Sequence, residues 1–175
     1  MKNKTLVRFC ISAVIAALYA AVSLALAPLS FGPIQIRIAE AMTLLPILFP
    51  EAIAGVTLGC FLTNLIGAIL GVNLLGFFDV FAGTLATFLA AMLTWRCRKL
   101  CVKGVPLVSA LMPVLFNAVI IGAELAYVLY PTALLTGFVI NAFEVGFGEL
   151  VACFILGLPL VKALDKAQLA KRFGL

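Results

Sequence analysis

The chain has 175 residues, of which 65% are hydrophobic and only 11% are charged, whereas about 25% of the residues in ordinary soluble domains are charged. Its apolar stretches are longer than the roughly 20 residues that a helix needs to cross a bilayer, which excludes a soluble core or a lone signal peptide. The formal net charge of +5 does not indicate nucleic-acid binding, because the basic residues lie in three clusters, each beside an apolar stretch. The composition therefore predicts an integral membrane protein.

The three basic clusters predict how the chain is oriented. Loops rich in Lys and Arg face the cytoplasm, so the chain should cross the membrane an even number of times between one cluster and the next. Two or four crossings are possible between the first and second clusters, and two suffice between the second and third. The clusters are Lys2, Lys4 and Arg8; Arg96, Arg98, Lys99 and Lys103; and Lys162, Lys166, Lys171 and Arg172.

The apolar runs, taken in chain order, supply six spans. Pro28 is expected to end the first, and Pro50 with Glu51 to mark an inner turn after the second. The second span is too short for an upright helix at ~1.5 Å per residue, so it is expected to be tilted, bent or extended. We predict an all-α integral membrane protein with one transmembrane domain over 1–175, six transmembrane helices, cytoplasmic termini and a cytoplasmic tail at 162–175. The predicted spans are 6–28, 38–49, 52–71, 76–95, 105–126 and 137–161.

Missing residue types and motifs exclude several chemistries. The sequence has no histidine, which excludes the usual zinc sites and Ser-His-Asp triads. Cys97 and Cys101 lie one helical turn apart, but two thiols make neither a closed metal site nor a CxxC pair. These 175 residues contain no GxxxxGK[ST] motif, so the chain does not itself hydrolyse ATP by a P-loop. We therefore expect no cofactor, no metal and no enzymatic activity.

Acidic and amide side chains concentrate toward one side of the predicted bundle. A charged side chain in the membrane costs several kcal/mol unless it faces a cavity or a partner, so such residues are functional candidates. On the six-span topology most of them lie toward the outer side. The candidate substrate-binding residues are Gln35, Arg37, Glu40, Asn64, Asp79, Asn117, Asn141 and Glu144.

Helical spacing places some of these residues on shared faces. Asn117 and Glu124 are seven residues apart, and Asn141 and Glu144 are three apart, so each pair lies along one face of its helix. Glu149 is five residues from Glu144 and is expected to point elsewhere. For a single residue the alternative is structural, since asparagines commonly bond neighbouring membrane helices. For the whole group, an outward-facing binding pocket is the better account.

The segment GPIQIRIAE joins the first two predicted spans on the outside and is expected to fold over this pocket as a lid. Gln35, Arg37 and Glu40 offer it an amide, a fixed cation and a carboxylate. Arg37 and Glu40 are three residues apart, so on a helical turn they could instead pair with each other. The two uses are compatible.

Three stretches of the sequence resemble a known family. FGPIQIRIAEAMTLLP, PEAIAGVTLGCFLTNL and FFDVFAGTLATFLAA resemble QueT-type proteins, the queuosine-precursor substrate-binding (S) components of energy-coupling factor (ECF) transporters. The resemblance covers most of the chain, and the first stretch is the most specific. It implies a six-helix S-component bundle in a prokaryotic plasma membrane, an outward substrate pocket, and a separate energising module of two ATPase subunits and a scaffold transmembrane subunit.

The resemblance also implies a contact face for the scaffold subunit. Family members share an AxxxA pattern on the first helix, and here either Ala13 and Ala17 or Ala16 and Ala20 fit it. Ordinary packing of small residues between membrane helices produces the same spacing.

The implied ligand is a 7-deazaguanine base, such as queuine or a pre-queuosine base. A carboxylate can accept both its ring N–H and its exocyclic amine, while its carbonyl needs a donor. An aminomethyl group would add a cation for a second carboxylate. We expect Glu144 or Glu40 at the base edge, Asn117 and Asn141 at the other polar edges, and Phe or Tyr side chains for stacking.

Three functional hypotheses remain open at this point. The first is an S component, either for a queuosine precursor or for another water-soluble vitamin. The second is an autonomous ion-coupled secondary transporter, in which Glu144 and Asp79 would carry protons. The third is a membrane assembly protein without a ligand. The resemblance favours the first, whereas polar placement alone does not separate the first two.

Overall fold

The computed structural model describes residues 4–32 and 36–169, and helices make up most of both ranges. A 3-10 helix, called the 3-10 segment below, lies between α2 and α3, and a π-helical segment joins α6 to α7. The elements are α1 (Lys4–Ala25), α2 (Ala27–Ser30), the 3-10 segment (Ile38–Ile47), α3 (Ala52–Ile69), α4 (Phe77–Arg96), α5 (Leu107–Leu129), α6 (Leu134–Leu150), the π segment (Val151–Gly157) and α7 (Leu158–Lys166).

Five helices in the described ranges are long and apolar enough to cross a membrane: α1, α3, α4, α5 and the continuous helix Leu134–Lys166. With 33 residues, the last is about 50 Å long at ~1.5 Å per residue, which exceeds the roughly 30 Å hydrocarbon core. It therefore continues beyond 137–161 into the expected tail. Helix α1 ends at Ala25, three residues before the expected end of the first span, and Pro28 lies in the first turn of α2, where a missing N–H costs nothing.

The predicted second span, 38–49, is the 3-10 segment, whose ten residues cover about 20 Å at ~2.0 Å per residue. Most of these residues are buried, and the segment contacts α1, α3, α4, α5, the π segment and α7. Pro46 removes one backbone donor from it, and the Thr43 hydroxyl donates to the carbonyl of Glu40. Surrounding helices thus shield this irregular backbone, as membrane proteins require.

Glycines bring α1 and α3 into close contact. A Cβ atom on Gly59 would lie 2.7 Å from the Cβ of Tyr19, and one on Gly55 would lie 2.8 Å from the Cβ of Ile15. Such distances are too short for real Cβ contacts, so larger residues at either glycine would push the helices apart. The close approach holds Tyr19 in the interior, where its side chain is fully buried.

The 3-10 segment and the π segment also pack against each other. A Cβ on Gly157 would lie 2.8 Å from a methyl carbon of Leu44. The Cys153 thiol lies 3.9 Å from the Thr43 hydroxyl and 3.8 Å from the carbonyl oxygen of Glu40. The two irregular segments therefore meet inside the bundle, beside the carboxyl groups described next.

Candidate functional site

A small polar cavity lies inside the helix bundle. About 10 Å³ of it is open to the centre of a water molecule, which is roughly the space that one water needs. The 3-10 segment, α4, α5 and α6 contribute its walls, and Arg37 lies just before the 3-10 segment. Its lining residues are Arg37, Glu40, Asp79, Gly83, Asn117, Ile121, Val145 and Glu149.

Arg37 and Asp79 form a buried ion pair in this cavity. The Arg37 Nη2 atom lies 3.5 Å from the Asp79 Oδ2 atom, and both side chains are buried. The guanidinium also lies over the Phe31 ring, 5.4 Å from its centroid, and its Nη1 atom lies 3.6 Å from the Cys60 sulfur. Within the described ranges, Nε and Nη2 have no hydrogen-bond acceptor. The arginine therefore keeps donor capacity toward the cavity.

Two asparagines hold Asp79 in place. Asn73 Nδ2 donates to Asp79 Oδ2 at 2.9 Å, and Asn64 Nδ2 donates to the backbone carbonyl of Asp79 at 2.8 Å. Gly83 lies one helical turn further along α4, where a Cβ would collide with Asp79 Oδ1 and lie 2.6 Å from Asn64 Nδ2. The absence of a side chain at Gly83 therefore leaves room for this network.

Glu40 lies on the wall formed by the 3-10 segment. Its Oε1 atom accepts a hydrogen bond from the Tyr19 hydroxyl of α1. Its Oε2 atom is buried and has no hydrogen-bond donor of normal geometry among the described residues, although the Thr87 hydroxyl lies nearby. A buried carboxylate oxygen without a donor is costly, so Oε2 is a ready acceptor for a ligand.

Glu149 also lines the cavity, from the last turn of α6 before the π segment. Asn117 Nδ2 donates to Glu149 Oε1 at 2.9 Å, and the Cys153 thiol lies 3.7 Å from Glu149 Oε2. A π-helical turn shifts the register of the residues around it and often occurs at functional sites. Here it begins two residues after the buried Glu149.

Four of the predicted binding residues, Arg37, Glu40, Asp79 and Asn117, line the cavity together, and Asn64 supports one of them from behind. Asn141 is buried but donates to the Gly137 carbonyl of its own helix at 2.7 Å. Glu144 is half-buried and is not among the lining residues. Gln35 lies outside the described residues.

Glu149 is expected to point away from Glu144, and the structure agrees, because Glu149 lines the cavity with Val145 whereas Glu144 does not. Asn141, Val145 and Glu149 are spaced by four, so they lie on one helical face, and all three are buried. The spacing of three between Asn141 and Glu144 indicates a neighbouring face of the helix instead. The sequence carries no clear signal for this face, because apolar residues occur on several faces of the helix.

The balance between hydrogen-bond donors and acceptors in the lining favours a ligand that is rich in hydrogen-bond donors. One guanidinium and one amide face three carboxyl groups in the lining, and these acids lie within an apolar bundle where uncompensated charge is expensive. The lining thus has more acceptors than donors. Among the described residues, no group of three or more His, Cys, Asp or Glu is arranged to hold a metal ion.

The two candidate alanine pairs of α1 differ in exposure. Ala13 and Ala17 are exposed, whereas Ala16 and Ala20 are buried. A Cβ on Gly59 would lie 3.0 Å from the carbonyl oxygen of Ala16, so Ala16 lies close to α3 of the same chain. The exposed pair is free of this internal packing.

Apolar helices that surround a buried, charged cavity define a multi-pass membrane protein with an internal polar site. Comparison with protein families gives a more specific assignment, because a model described as QueT transporter matches residues 9–166. The chain belongs to the QueT transporter family and is therefore a transporter protein. Searches of curated proteins and of solved structures gave no match.

Proposed function

We propose that this protein is the substrate-binding S component of an ECF importer and that it captures a queuosine precursor, a 7-deazaguanine base, from outside the cell. The observation that carries the proposal is the excess of acceptors in the cavity, where Glu40, Asp79 and Glu149 face Arg37 and Asn117. Membership of the QueT transporter family supports the same substrate class.

The donor pattern of a deazaguanine matches this excess. Its ring N–H and exocyclic amine point the same way, so one carboxylate accepts both. Glu40 is suited to this role because its Oε2 atom has no donor of normal geometry among the described residues. Asn117 and Arg37 supply donors for the carbonyl of the base. A second carboxylate, Glu149, then pairs with the cation of an aminomethyl precursor.

Binding requires a rearrangement of the cavity, because a bicyclic base is far larger than a water molecule. Arg37 is paired with Asp79, and Asn117 with Glu149. A ligand that enters between them replaces these internal contacts with its own polar edges. The exchange leaves few buried groups unsatisfied, which keeps its free-energy cost small.

Energy for import comes from a separate module with two ATPase subunits and a scaffold transmembrane subunit. The sequence has no P-loop motif, and the exposed Ala13 and Ala17 of α1 provide a small-residue face for a helix of the scaffold. In this proposal the 3-10 segment counts as the second of six crossings, and both termini lie in the cytoplasm of a prokaryotic cell.

Two measurements test the proposal. The first is calorimetric titration of the detergent-purified chain with queuine, aminomethyl and cyano deazaguanines, guanine, and a panel of water-soluble vitamins. We expect binding of a deazaguanine and no binding of the vitamins. Binding of a vitamin alone would instead identify an S component with another substrate.

The second measurement is uptake into vesicles, with and without the energising module and ATP. We expect uptake only when both are present. Uptake by the chain alone, driven by a proton gradient, would contradict the S-component assignment and indicate a secondary transporter.

A further inference from the structure

A second cavity, separate from the polar one, opens where α4 ends and α5 begins. It has a volume of about 900 Å³ and shares no lining residue with the polar cavity. Three elements form it: the end of the 3-10 segment, the loop between α4 and α5, and the helix that runs from the π segment into α7. Its walls combine basic side chains with an apolar surface.

Three cations and one carboxylate line this cavity: Arg98, Lys103, Lys162 and Asp165. Arg98 is held in place, because its Nη1 atom donates to the Trp95 carbonyl at 2.7 Å and its guanidinium lies 4.4 Å from the centre of the Trp95 ring. The cations outnumber the acid, so the cavity attracts an anion.

A tight turn presents Lys103 to the cavity. Val102 and Val105 exchange two backbone hydrogen bonds of 2.9 and 3.0 Å, with Lys103 and Gly104 between them. Lys103 has a φ of 51° and Gly104 a φ of 79°, the left-handed conformations that a two-residue hairpin turn of this type requires. Glycine or asparagine normally occupies such positions, so a lysine is held there at some conformational cost.

The rest of the lining is apolar. Ile47 is the last residue of the 3-10 segment and Leu48 directly follows it, while Phe154, Leu158 and Val161 come from the final helix. Simple phosphate sites are made of polar donors and need no such surface. A cavity that combines an apolar surface with cations instead suits an amphiphile, because the apolar surface can contact hydrocarbon tails and the cations can contact an anionic head group.

We propose that this cavity binds an anionic phospholipid, with its phosphate group among Arg98, Lys103 and Lys162 and one acyl chain along Phe154 and Leu158. Basic pockets between membrane helices are typical sites for acidic lipid head groups. The proposal does not depend on which solute the polar cavity takes.

The test is native mass spectrometry of the full-length, detergent-purified protein, titrated separately with phosphatidylglycerol and phosphatidylcholine of identical acyl chains. We expect phosphatidylglycerol to bind more tightly. Each surface cation contributes about fivefold to the affinity for an acidic lipid, so the double variant Lys103→Gln, Lys162→Gln should weaken phosphatidylglycerol binding by about 25-fold. It should leave phosphatidylcholine binding unchanged.

A matched control uses the same basic cluster. Arg96 and Lys99 are exposed and do not line the cavity, so the double variant Arg96→Gln, Lys99→Gln should keep the preference for phosphatidylglycerol. An equal loss in both double variants would show only general charge attraction and would overturn the site. Equal binding of the two lipids by the wild type would also overturn it.

A competition experiment distinguishes a lipid-binding site from a site for free phosphate compounds. Glycerol 3-phosphate carries the head-group charge without acyl chains, and in large excess it should leave bound phosphatidylglycerol in place. Displacement of the lipid would contradict the proposal and identify a site for soluble phosphate compounds.

Discussion

The Tyr19 hydroxyl donates a hydrogen bond to Glu40 Oε1, and this bond joins α1 to the wall of the polar cavity. Tyr19 is fully buried and is fixed from behind by Gly59 of α3. The helix that carries the exposed alanine pair is therefore in direct contact with a lining residue of the cavity. A change in the surroundings of Glu40 would reach α1 through this bond.

Replacing Tyr19 with phenylalanine should lower the stability of the protein. The substitution keeps the ring but leaves the buried Glu40 Oε1 without its hydrogen-bond donor, so the free energy of unfolding should fall by about 1–3 kcal/mol. Thermal unfolding of the purified protein measures this. Tyr127→Phe is the control, because Tyr127 is exposed and its loss should have little effect; an equal change in both variants would show that the Tyr19 bond contributes nothing.

Gly83→Ala should disrupt the hydrogen bonds that hold Asp79 in place. The added methyl group would collide with Asp79 Oδ1 and approach Asn64 Nδ2 to 2.6 Å. To avoid these contacts, Asp79 and Asn64 would have to move, although hydrogen bonds and the Arg37 ion pair hold them in place. The free energy of unfolding and the free energy of ligand binding should therefore each weaken by about 1–3 kcal/mol. Calorimetric titration and thermal unfolding measure the two quantities.

Gly146→Ala is the matched control for Gly83→Ala. It adds the same atom to a helix, but its Cβ would meet only the Ala118 Cβ at 3.4 Å. Alanine is the better helix former by up to about 1 kcal/mol, so this variant should be as stable as the wild type or slightly more so. Unchanged binding in Gly83→Ala would contradict the importance of the Asp79 network.

Much of the polar cavity could be predicted because Arg37, Glu40, Asp79 and Asn117 are polar groups in apolar surroundings. Such groups must find partners or a cavity, and this requirement brings them together whatever the details of packing. The position of Glu149 depends on which face of the last helix turns inward. One charged residue does not specify that face in a helix whose apolar residues occur on several faces.

The helix type of the segment after Arg37 could not be predicted in the same way. Its apolar run indicated a helix near 38–49, but a run of ten or so residues does not distinguish an α-helix from a 3-10 helix. The difference comes from contacts with six other elements, which the local sequence does not encode. The helix type of the π segment likewise cannot be read from the local sequence, although Gly146 and Gly148 lie shortly before its start.

Sided labelling tests the proposed topology. A cysteine at Thr132, an exposed position in the turn between α5 and α6, should react with an impermeant thiol reagent added to intact cells. Native Cys97 and Cys101, in the basic loop after α4, should react only after the membrane is made permeable. The opposite pattern would reverse the orientation of the chain.

Leucine substitutions at the two alanine pairs of α1 should impair different properties, uptake in one case and stability in the other. Ala13→Leu with Ala17→Leu places bulk on an exposed face, so binding by the isolated protein should be nearly intact while uptake with the energising module is lost, because small residues allow the close approach of helices. Ala16→Leu with Ala20→Leu places the same bulk at two buried positions and should instead lower the unfolding temperature. Uptake that survives the Ala13 and Ala17 changes would show that this face does not meet the scaffold subunit.

Glu149→Gln and Glu144→Gln together test which acid of α6 recognises the substrate. Glutamine keeps the shape of the side chain but turns one acceptor into a donor. At an acid that accepts a ligand donor, the loss should therefore be about 2–4 kcal/mol, or roughly 30-fold to 1000-fold in affinity. We expect this loss for Glu149→Gln, because Glu149 lines the cavity, and little change for Glu144→Gln, because Glu144 does not.

Glu40→Gln should also weaken binding, since Glu40 offers the acceptor Oε2. Glu51→Gln is the outlying control, because Glu51 pairs with Arg8 at 3.1 Å and lies outside the cavity lining. Calorimetric titration of each purified variant, with a thermal unfolding check, gives the four affinities. A loss at Glu144 with none at Glu149 would instead support Glu144 as the acid at the base edge. Unchanged affinities in all four variants would mean that Glu40 and Glu149 serve only to pair with Tyr19 and Asn117.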